Sequence, residues 1–594
     1  MDRTGIIVVT ICAILLGLWF IESKKYDTYL EQQRALQTNT VVSSQSPEAV
    51  SPGTSAPPAP VFSASTNTPE KIITLTNDLA IYTFTSHGGG IKSIALRGFP
   101  ETISPRWKPG ADTNALATLN TGAPVPIMAV LGDPSLVGDG EFSLTKTDHG
   151  IEAEKPLPDG LVLIKDFHLG SNYMVDVTVT LKNESGKAIS LPAQQWVVGT
   201  STPMDVDDLN FFTYSGAMWF DGNTYKLCTE SYFSKATSYF GIIPRTPSTQ
   251  YIAGNGNVYW AAAYNQYFVI LGMPRNDQPA QQIFATPVDL TVTNGAGTMP
   301  WIGVQTALVY PAQTLPASQV LQREIVLYTG PKELRILQQI ALQFQNRADL
   351  VWNLGTGFAT FWGVGSFFAK LLLWIMNGLH DLLPISYGWI IVVLTLLLRI
   401  VFWPLLAASI RSAKKMQALA PEIKALKEKY SDDPQKLMQK QTELWRKNGV
   451  NPMSGCLPAL IQMPVFIGFF TMIRSAIELR GAHFLWIHDL SKADTLFFIP
   501  IINFPFNLLP LLMVGVMVWQ AHLQPPSPGM DASQQKLMRY MPLIFLVFLY
   551  NYSAGMALYM TISTLTSVVQ TRMIKNIAPA PAVSPLTPPP KKKK

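Results

Sequence analysis

The chain has 594 residues and a mass of 65.6 kDa, which is too long for one compact domain and allows roughly three or four units. Charged residues make up only 14% and apolar residues 48%, whereas a soluble protein carries about 25% charge. This composition argues against a wholly soluble or disordered chain. The cysteines Cys12, Cys228 and Cys456 lie far apart, which excludes a disulfide scaffold and a cysteine-rich metal site.

The net charge of +6 conceals an asymmetry along the chain. Residues 22–350 carry 21 Lys and Arg against 28 Asp and Glu, a balance of −7, whereas the rest carries 24 against 11, a balance of +13. A basic cytoplasmic side and an acidic outer domain produce such a split. A nucleic-acid binder would instead place its basic residues on a folded soluble face.

The first apolar run extends from Gly5 to Ile21 and is about long enough to cross a bilayer core. No small-x-small cleavage site follows it, so the sequence predicts an uncleaved anchor over residues 1–22 rather than a removed signal peptide. Ser, Thr, Ala and Pro then dominate, with almost no charge from about residue 38. This composition predicts a flexible tether over residues 23–69.

A pattern of alternating apolar and polar residues begins near Glu70 and continues for some 250 residues. It is clear in Lys71–Thr76, Ile81–Thr85 and Tyr173–Leu181, and such alternation is typical of half-buried antiparallel strands. Turn-forming clusters separate these runs, as at Gly88–Gly90. The sequence therefore predicts a large all-β sandwich over residues 70–350, and not a βαβ sheet.

Four strongly apolar stretches follow: Trp389–Leu406, Leu457–Ile473, Phe506–Trp519 and Tyr540–Val569. The last is long enough for two spans with a break near Ser553–Gly555, so the stretches predict five further membrane spans. The stretch 358–383 is interrupted by Lys370, Asn377, His380 and Asp381. Its composition favours an amphipathic helix in the headgroup plane over a seventh crossing.

Loop charges set the predicted topology. The loop 409–449 carries ten basic residues against five acidic ones and should be cytoplasmic. With six spans, both termini are then cytoplasmic and residues 23–350 lie outside. A seventh crossing would place the β domain in the cytoplasm, which its acidic balance disfavours.

The predicted organisation therefore has eight parts. They are an anchor at 1–22, a tether at 23–69, a β domain at 70–350, an interfacial helix region at 351–387, a second span at 388–408, a basic helical hairpin at 409–450, a four-span remainder at 451–575 and a basic tail at 576–594.

The sequence contains none of the motifs of soluble enzymes. There is no Gly-rich phosphate loop ending in Lys-Ser/Thr, no His-Glu-x-x-His and no Gly-x-Ser-x-Gly, and the seven histidines show no metal-ligand spacing. His87, His149 and His168 are interpreted as ordinary surface or packed residues. The prediction is a protein that is not an enzyme, with no catalytic residue, cofactor or metal.

Arg399 is the residue that stands out in the helical part. It lies about seven apolar positions from the nearest loop residue, and an arginine at the centre of a span costs about 2.5–3.5 kcal/mol. One interpretation is that its side chain snorkels to the cytoplasmic headgroups. The other is that it faces a water-filled cavity and attracts an acidic ligand, with Thr395 one turn earlier on the same face.

Two glutamines are candidates for the same cavity. Gln462 in the third span and Gln520 at the end of the fourth would line it, and interhelical hydrogen bonding is the alternative interpretation for each. The cores of the spans contain no Asp or Glu, so no buried ion pair or proton relay can form there. This absence argues against an ion-coupled small-solute transporter.

The basic loop has the pattern of a helical hairpin. Ser412–Lys429 forms the first arm, Asp433 is placed to cap the second arm, and Pro434 occupies its first helical position. The second arm ends at Asn448–Gly449. Such a pair is either a solvated face or a docking site for ribosomal RNA or a partner protein. The basic residues singled out are Lys414, Lys415, Lys424, Lys427, Arg446 and Lys447.

These residues together resemble the YidC/Oxa/Alb family of membrane insertases. The segments that carry the resemblance in the helical part are Asn451–Phe466, Leu485–Leu490 and the helix with Thr395, Arg399 and Pro404. The outer domain is similar to the large periplasmic domain of the Gram-negative YidC branch, in the segments Gly88–Gly90, Tyr267–Phe268 and Leu327–Lys332. The resemblance extends over nearly the whole chain and is weakest in the tether and the tail.

The resemblance implies a polytopic inner-membrane protein with a five-helix core around a hydrophilic groove. The groove would open to the cytoplasm and to lipid and be closed toward the periplasm, and the outer domain would be a β-supersandwich without established catalysis. The implied partners are nascent membrane proteins, the Sec translocon, the ribosome and signal recognition particle pathway, and the lipid bilayer, with no small-molecule substrate.

The resemblance also assigns roles to residues. Arg399 matches the groove arginine, and the hairpin matches the cytoplasmic loop of the family. Tyr559 matches a substrate-contacting aromatic residue, whereas Met560 stands where a second aromatic is usual, which leaves that contact in doubt.

The mechanism predicted from these features involves no covalent chemistry. A wet groove shortens the hydrocarbon path for a polar substrate tail, Arg399 attracts acidic residues in that tail, and the apolar helix of the substrate slides into lipid. Phe466, Phe469 and Tyr559 are the predicted slide surface. The alternatives are a small-solute transporter and a membrane-anchored carbohydrate-active protein, which would need a His beside a carboxylate in the outer domain.

Overall fold

A computed structural model of the chain describes the following residues: 69–101, 115–148, 150–204, 215–234, 247–275, 278–294, 297–352, 364–431, 433–449, 457–499, 504–523, 536–537 and 540–574. The predicted anchor and the basic tail lie outside this range. Two compact units are present, a β-rich unit assigned to Gln45–Leu354 with Arg474–Ile477 and a helical unit formed by the remainder.

The β-rich unit contains these strands among its described residues: β1 Ile72–Thr76, β2 Ala80–Thr85, β3 Gly90–Pro100, β4 Leu116–Leu119, β5 Val130–Gly132, β6 Ser143–Lys146, β7 Gly150–Pro156, β8 Leu161–Leu169, β9 Met174–Asn183, β10 Ile189–Leu191, β11 Gln194–Ser201, β12 Gly216–Phe220, β13 Tyr225–Thr229, β14 Tyr251–Ala253, β15 Trp260–Tyr264, β16 Phe268–Pro274, β17 Gln282–Asn294, β18 Gly297–Tyr310, β19 Gln313–Leu315 and β20 Val320–Pro331. One helix, α1 Leu334–Phe344, follows them.

The strands form three main sheets, and the neighbouring strands in them pair antiparallel. Their orders are β13-β12-β15-β16-β20-β9-β8-β7-β6, then β14-β17-β18-β11-β5, and β1-β2-β3-β4. The alternation in the sequence matches the burial of side chains, since Val175, Val177 and Val179 of β9 are at most 1% exposed. The predicted strands near residues 71, 81 and 173 are confirmed.

A buried lysine explains the glycine cluster that the sequence marks as a turn. Lys165 on β8 is fully buried, and its ammonium donates to the carbonyl oxygens of Gly88 at 2.7 Å and Gly89 at 3.1 Å. Both glycines have positive φ, 78° and 54°, which a side chain would disfavour. The amine also lies 4.2 Å from the centre of the Phe142 ring. Burial lowers the pKa of Lys165 well below its usual value.

Glu230, at the end of β13, makes the stability of the β-rich unit depend on pH. Burial raises its pKa from 4.5 to about 6, although its carboxylate accepts from the backbone N–H of Ser215 at 3.2 Å. The protonated form therefore contributes stability below pH 4.5, and this contribution is lost as the pH rises through about 6. A pKa shift of this size corresponds to about 2 kcal/mol in the free energy of unfolding.

We expect Glu230→Gln to raise the free energy of unfolding at pH 7.5 by up to about 2 kcal/mol, because the amide is neutral at every pH. Thermal unfolding of the purified chain at pH 4.5, 6 and 7.5 measures this change. The control is Glu154→Gln on the exposed part of β7. An unaltered pH profile for Glu230→Gln would contradict the prediction.

The helical unit contains these helices among its described residues: α2 Val364–Leu382, α3 Tyr387–Val401, α4 Trp403–Ala418, α5 Ala420–Lys429, α6 Pro434–Lys447, α7 Leu457–Ser475, α8 Leu508–Leu523, α9 Pro542–Leu549 and α10 Ala554–Met573. A two-stranded ribbon, β21 Thr495–Ile499 and β22 Phe504–Asn507, lies between α7 and α8. The predicted break near residue 553 is confirmed, since α9 ends at Leu549 and α10 begins at Ala554.

The predicted second span is divided in the structure. α3 ends at Val401, Phe402 stands between the helices, and α4 begins at Trp403 with Pro404 in its first turn. Proline lacks a backbone N–H, which disfavours a continuous helix here and favours the first turn of a new one. A prediction from average hydropathy does not detect this break.

α2 covers most of the stretch 358–383 and is amphipathic. Ala369, Leu372, Leu373 and Met376 are buried, whereas Trp374 is 73% exposed on another face. Within the described part of the chain, no helix is by itself both long and apolar enough to cross a membrane. Among the helices that the structure describes, one pair, Gly365–Leu382 and Tyr387–Val401, reaches that length and composition together, across a bend of 118°.

The basic hairpin forms as its local sequence predicts. Asp433 accepts a hydrogen bond from the backbone N–H of Lys436 at 3.0 Å, Pro434 begins α6, and Asn448 caps its end. α5 and α6 enclose a small apolar cluster that consists of Leu419 and Ile423 with Met416, Leu444 and Trp445. The first arm differs from the prediction, because it breaks at Leu419 between α4 and α5.

A polar stripe on the last helix as candidate functional site

Four residues of α10 recur at a spacing of four and define what we call the α10 stripe: Tyr559, Ser563, Ser567 and Thr571. This spacing places them on one side of the helix. Each position contacts a different helix, namely α7, α3, α8 and α4 in that order. The stripe brings together Arg399, Gln462 and Gln520, which the sequence predicts separately.

Arg399 lies on the last turn of α3 and is partly buried. Its guanidinium donates to the hydroxyl oxygen of Ser563, which is itself only 5% exposed. Among the described residues, this guanidinium has no carboxylate partner. The positive charge is therefore held by a neutral hydroxyl, which leaves it available to an anion.

Gln462 and Tyr559 form the second contact of the stripe. The amide of Gln462 on α7 donates to the hydroxyl of Tyr559, whose ring stacks on Phe469 with centroids 4.0 Å apart. Phe469 is fully buried and Tyr559 is 2% exposed, whereas Phe466 is partly buried and stacks on Phe470 at 6.3 Å. Their predicted role as a slide surface stays a prediction, and it requires Phe469 and Tyr559 to become exposed.

Gln520 forms the third contact. Its amide donates to the hydroxyl of Ser567 at 2.9 Å, so α8 and α10 are joined by a polar bond near the end of α8. In the same region, the guanidinium of Arg572 lies 5.3 Å from the ring centre of Trp519. The interhelical hydrogen bond that the sequence left as an alternative for both glutamines is present in each case.

Lys414 connects the first arm of the hairpin to the end of α10. Its ammonium donates to the carbonyl oxygens of Thr571 at 3.3 Å and Ile574 at 2.6 Å, which are among the unpaired carbonyls of the last turn. A cation at a helix carboxyl end is favourable. The other predicted basic residues are exposed: Lys415, Lys424, Lys427, Arg446 and Lys447.

Thr395 does not reach the stripe. It is buried, and its hydroxyl donates to the carbonyl oxygen of Ile391 on its own helix at 2.6 Å. This is the local bond that threonine commonly forms inside helices. Its predicted role in wetting the cavity therefore stays a prediction without a contact to support it.

Ser563 and Ser567 are the residues that the sequence interpretation missed. Hydroxyl residues are frequent in membrane helices, so neither serine is conspicuous alone. The available signal was their spacing of four from each other and from Tyr559 within the last apolar stretch.

The β-rich unit contains a His beside a carboxylate. His87 Nε2 lies 3.0 Å from Glu141 Oε1, and both side chains are largely buried. This pair meets the minimal requirement of the carbohydrate-active alternative. An ordinary polar contact within the fold has the same geometry.

Comparison with known proteins separates these possibilities. The family model "60Kd inner membrane protein" matches residues 378–580, and "YidC periplasmic domain" matches residues 72–375. The membrane protein insertase YidC of Paraburkholderia xenovorans is 30% identical over 71% of this chain and 68% of its own length. That of Pseudomonas paraeruginosa is 28% identical over 84% of both chains.

A crystal structure of an active YidC insertase with its first transmembrane domain resolved gives a TM-score of 0.32 at 19% identity, over 84% of this chain and 92% of that one. A galactose mutarotase-like protein from Lactobacillus casei gives 0.28 at 11% identity, over 44% of this chain and all of the other.

The sequence matches define a bacterial inner-membrane insertase with a periplasmic domain. The chain belongs to the YidC family of membrane protein insertases. The predicted resemblance is thereby confirmed, and the carbohydrate-active and transporter alternatives are not favoured.

Proposed function

We propose that the chain inserts nascent membrane proteins along a polar groove whose centre is the α10 stripe. Arg399 would attract acidic residues in the tail of the substrate, and Gln462 and Gln520 would hydrogen-bond the polar backbone of that tail. The observation that carries this proposal is the bond from Arg399 to a neutral serine instead of a carboxylate. A carboxylate of the substrate would bind the guanidinium of Arg399 more strongly than the neutral hydroxyl of Ser563 does.

The apolar helix of the substrate would leave through the aromatic surface of α7 and α10. Phe466, Phe469 and Tyr559 carry this role in the proposal, and Phe469 and Tyr559 would have to separate from their stacked pair. Burial of a substrate helix in lipid supplies the driving force, at about 0.8 kcal/mol for each methylene removed from water.

The proposed topology keeps the six spans and the boundaries predicted from the sequence. The anchor at 1–22 and the spans from 388 onward follow from the apolar stretches of the sequence. The loop charges favour cytoplasmic termini and a periplasmic position for residues 23–350. The exposed face of α2 supports an interfacial position for this helix within 351–387. The bend of 118° before α3 agrees with two separate helices.

The proposed partners follow from charge. The exposed cations of the hairpin would receive nascent chains from the ribosome and the signal recognition particle pathway, since clustered Lys and Arg bind phosphate-rich surfaces. The core would act alone or beside the Sec translocon.

Site-specific cross-linking tests the proposal. A photoreactive amino acid that replaces Ser567 lies within the stripe. The control position is Val569, which is 53% exposed and lies two residues further along α10, on the other side of the helix. With the full chain in vesicles and a stalled single-spanning substrate, we expect several-fold more cross-links from Ser567. Equal yields at the two positions would contradict a groove along the stripe.

A further inference from the structure

A half-buried lysine joins the first arm of the basic hairpin to the last helix. The ammonium of Lys414 on α4 donates to the carbonyl oxygens of Thr571 at 3.3 Å and Ile574 at 2.6 Å, at the carboxyl end of α10. The last carbonyl groups of a helix lack partners within it and carry partial negative charge, so they attract a cation. The charge of Lys414 is therefore used inside the helical unit.

The next residue of α4 has a different environment. Lys415 is exposed, and among the described residues its ammonium has no hydrogen-bond partner and no acidic partner. An exposed and unpaired ammonium is available to the phosphate groups of a partner, whereas the ammonium of Lys414 would first have to leave its two carbonyl oxygens. The two adjacent lysines are therefore suited to different roles.

Lys414 belongs to the packed body of the hairpin. Met416, two residues further along α4, packs against the buried pair Leu419 and Ile423, and Leu444 of the second arm packs against the same pair. A packed apolar cluster of this kind deforms little. The contact of Lys414 with α10 therefore restrains the whole hairpin and not α4 alone.

The junction between α3 and α4 restrains the hairpin less than a continuous helix would. Phe402 stands between the two helices, and Pro404 has no N–H to donate to the carbonyl oxygen of Ile400. Helices commonly bend at such a proline. The angle between α3 and α4 therefore depends on contacts outside the junction.

Contacts on both sides of this junction hold α10. Arg399 of α3 donates to Ser563, and Lys414 of α4 bonds Thr571, eight residues further along α10. The two points are about 12 Å apart along the helix axis. Because the first contact fixes α10 to α3, the second contact fixes the direction of α4, and with it the direction of the hairpin.

We propose that Lys414 is a positioning residue that holds the basic hairpin over the cytoplasmic end of α10. A chain that the exposed cations of the hairpin have received is then delivered beside the α10 stripe rather than at a variable distance from it. This inference deepens the proposed function, on which it rests, and it separates two tasks of the hairpin. Lys415 contributes to binding of the partner, and Lys414 contributes to the step that follows binding.

Distances between spin labels test the position of the hairpin. The parent is the full chain in lipid nanodiscs, with Cys12, Cys228 and Cys456 replaced by serine. The labels are attached to cysteines that replace Met438 of α6 and Val569 of α10, which are 69% and 53% exposed. We expect one narrow distribution of distances in the parent, because the hairpin is held in one direction.

Variants of the lysine pair identify the cause. Lys414→Met removes every donor and should broaden the distribution about twofold, because α10 no longer bonds the hairpin. Lys414→Arg keeps a cation with N–H donors and should restore most of the narrow distribution. Lys415→Met is the matched control, since it removes an equal charge one residue away, and it should leave the distribution narrow.

Ribosome binding and insertion are measured on the same variants. Lys415→Met should weaken the binding of ribosomes that carry a nascent chain and lower the salt dependence of this binding by about one charge. Lys414→Met should bind them nearly as the parent does but insert a several-fold smaller fraction of the bound chains.

A narrow distribution in folded Lys414→Met overturns the proposal, and so does equal broadening in Lys415→Met. If Lys414→Met does not accumulate, Lys414→Gln replaces it with a shorter and neutral side chain, and a parental distribution in this variant overturns the proposal equally. Ribosome binding that Lys415→Met leaves unchanged counts against the proposed partner, whereas the distance measurement still decides the role of Lys414.

Discussion

Arg399→Ala is expected to lower the insertion of substrates with acidic tails by about tenfold to a hundredfold. A hydrogen bond to a charged group contributes about 1.5–3 kcal/mol, and each 1.4 kcal/mol corresponds to a factor of ten. Arg399→Lys keeps the charge but loses the planar fork that binds a carboxylate through two N–H groups, so its loss should be smaller than that of alanine. Protease protection of a single-spanning substrate in vesicles that contain the full chain measures insertion.

The tail of the substrate provides the internal control. When the acidic residues of the tail are replaced by their amides, the parent and Arg399→Ala should insert the substrate at similar rates. Ser563→Ala removes the neutral partner of Arg399 and should preserve or increase the insertion of acidic tails, because the guanidinium then lacks a competing bond. An equal loss for acidic and neutral tails would show that Arg399 acts through structure and not through charge.

The sequence alone predicts those residues of the site whose placement in an apolar helix is energetically costly. A charge within an apolar helix is conspicuous by itself, so the sequence alone identifies Arg399 as a candidate. Ser563 is 164 residues away and belongs to a common residue type, so the sequence offered no reason to pair the two. The same applies to Gln520 and Ser567, which are 47 residues apart.

Local signals predicted local structure well. Asp433 and Pro434 define the start of α6 within four residues of chain, and the structure follows them. The alternation of apolar and polar residues predicts where the strands of the β-rich unit lie. It does not predict the order of the strands in the sheets, since β5 pairs with β11 about 65 residues later. Such pairings depend on the closure of long loops and on packing, which a local pattern does not record.

Gly468 is a site at which a single added side chain should disturb the helical unit strongly. It lies on α7, where a Cβ would come within 2.6 Å of the Cβ of Phe368 and 3.1 Å of its carbonyl carbon on α2. Because the second atom belongs to the backbone, rotation of a side chain cannot relieve the clash, and α2 would have to move. Overpacking of this kind costs about 1–3 kcal/mol or more.

We therefore expect Gly468→Val to reduce both the accumulation of the chain and its melting temperature in detergent, with a smaller reduction for Gly468→Ala. The matched control is Gly515→Ala on α8, where a Cβ would meet no atom within 4 Å. Alanine has a higher helix propensity than glycine by about 1 kcal/mol, so this control should be neutral or slightly stabilising. If Gly468→Ala and Gly468→Val melt at the parental temperature, α2 does not pack against α7 at this position.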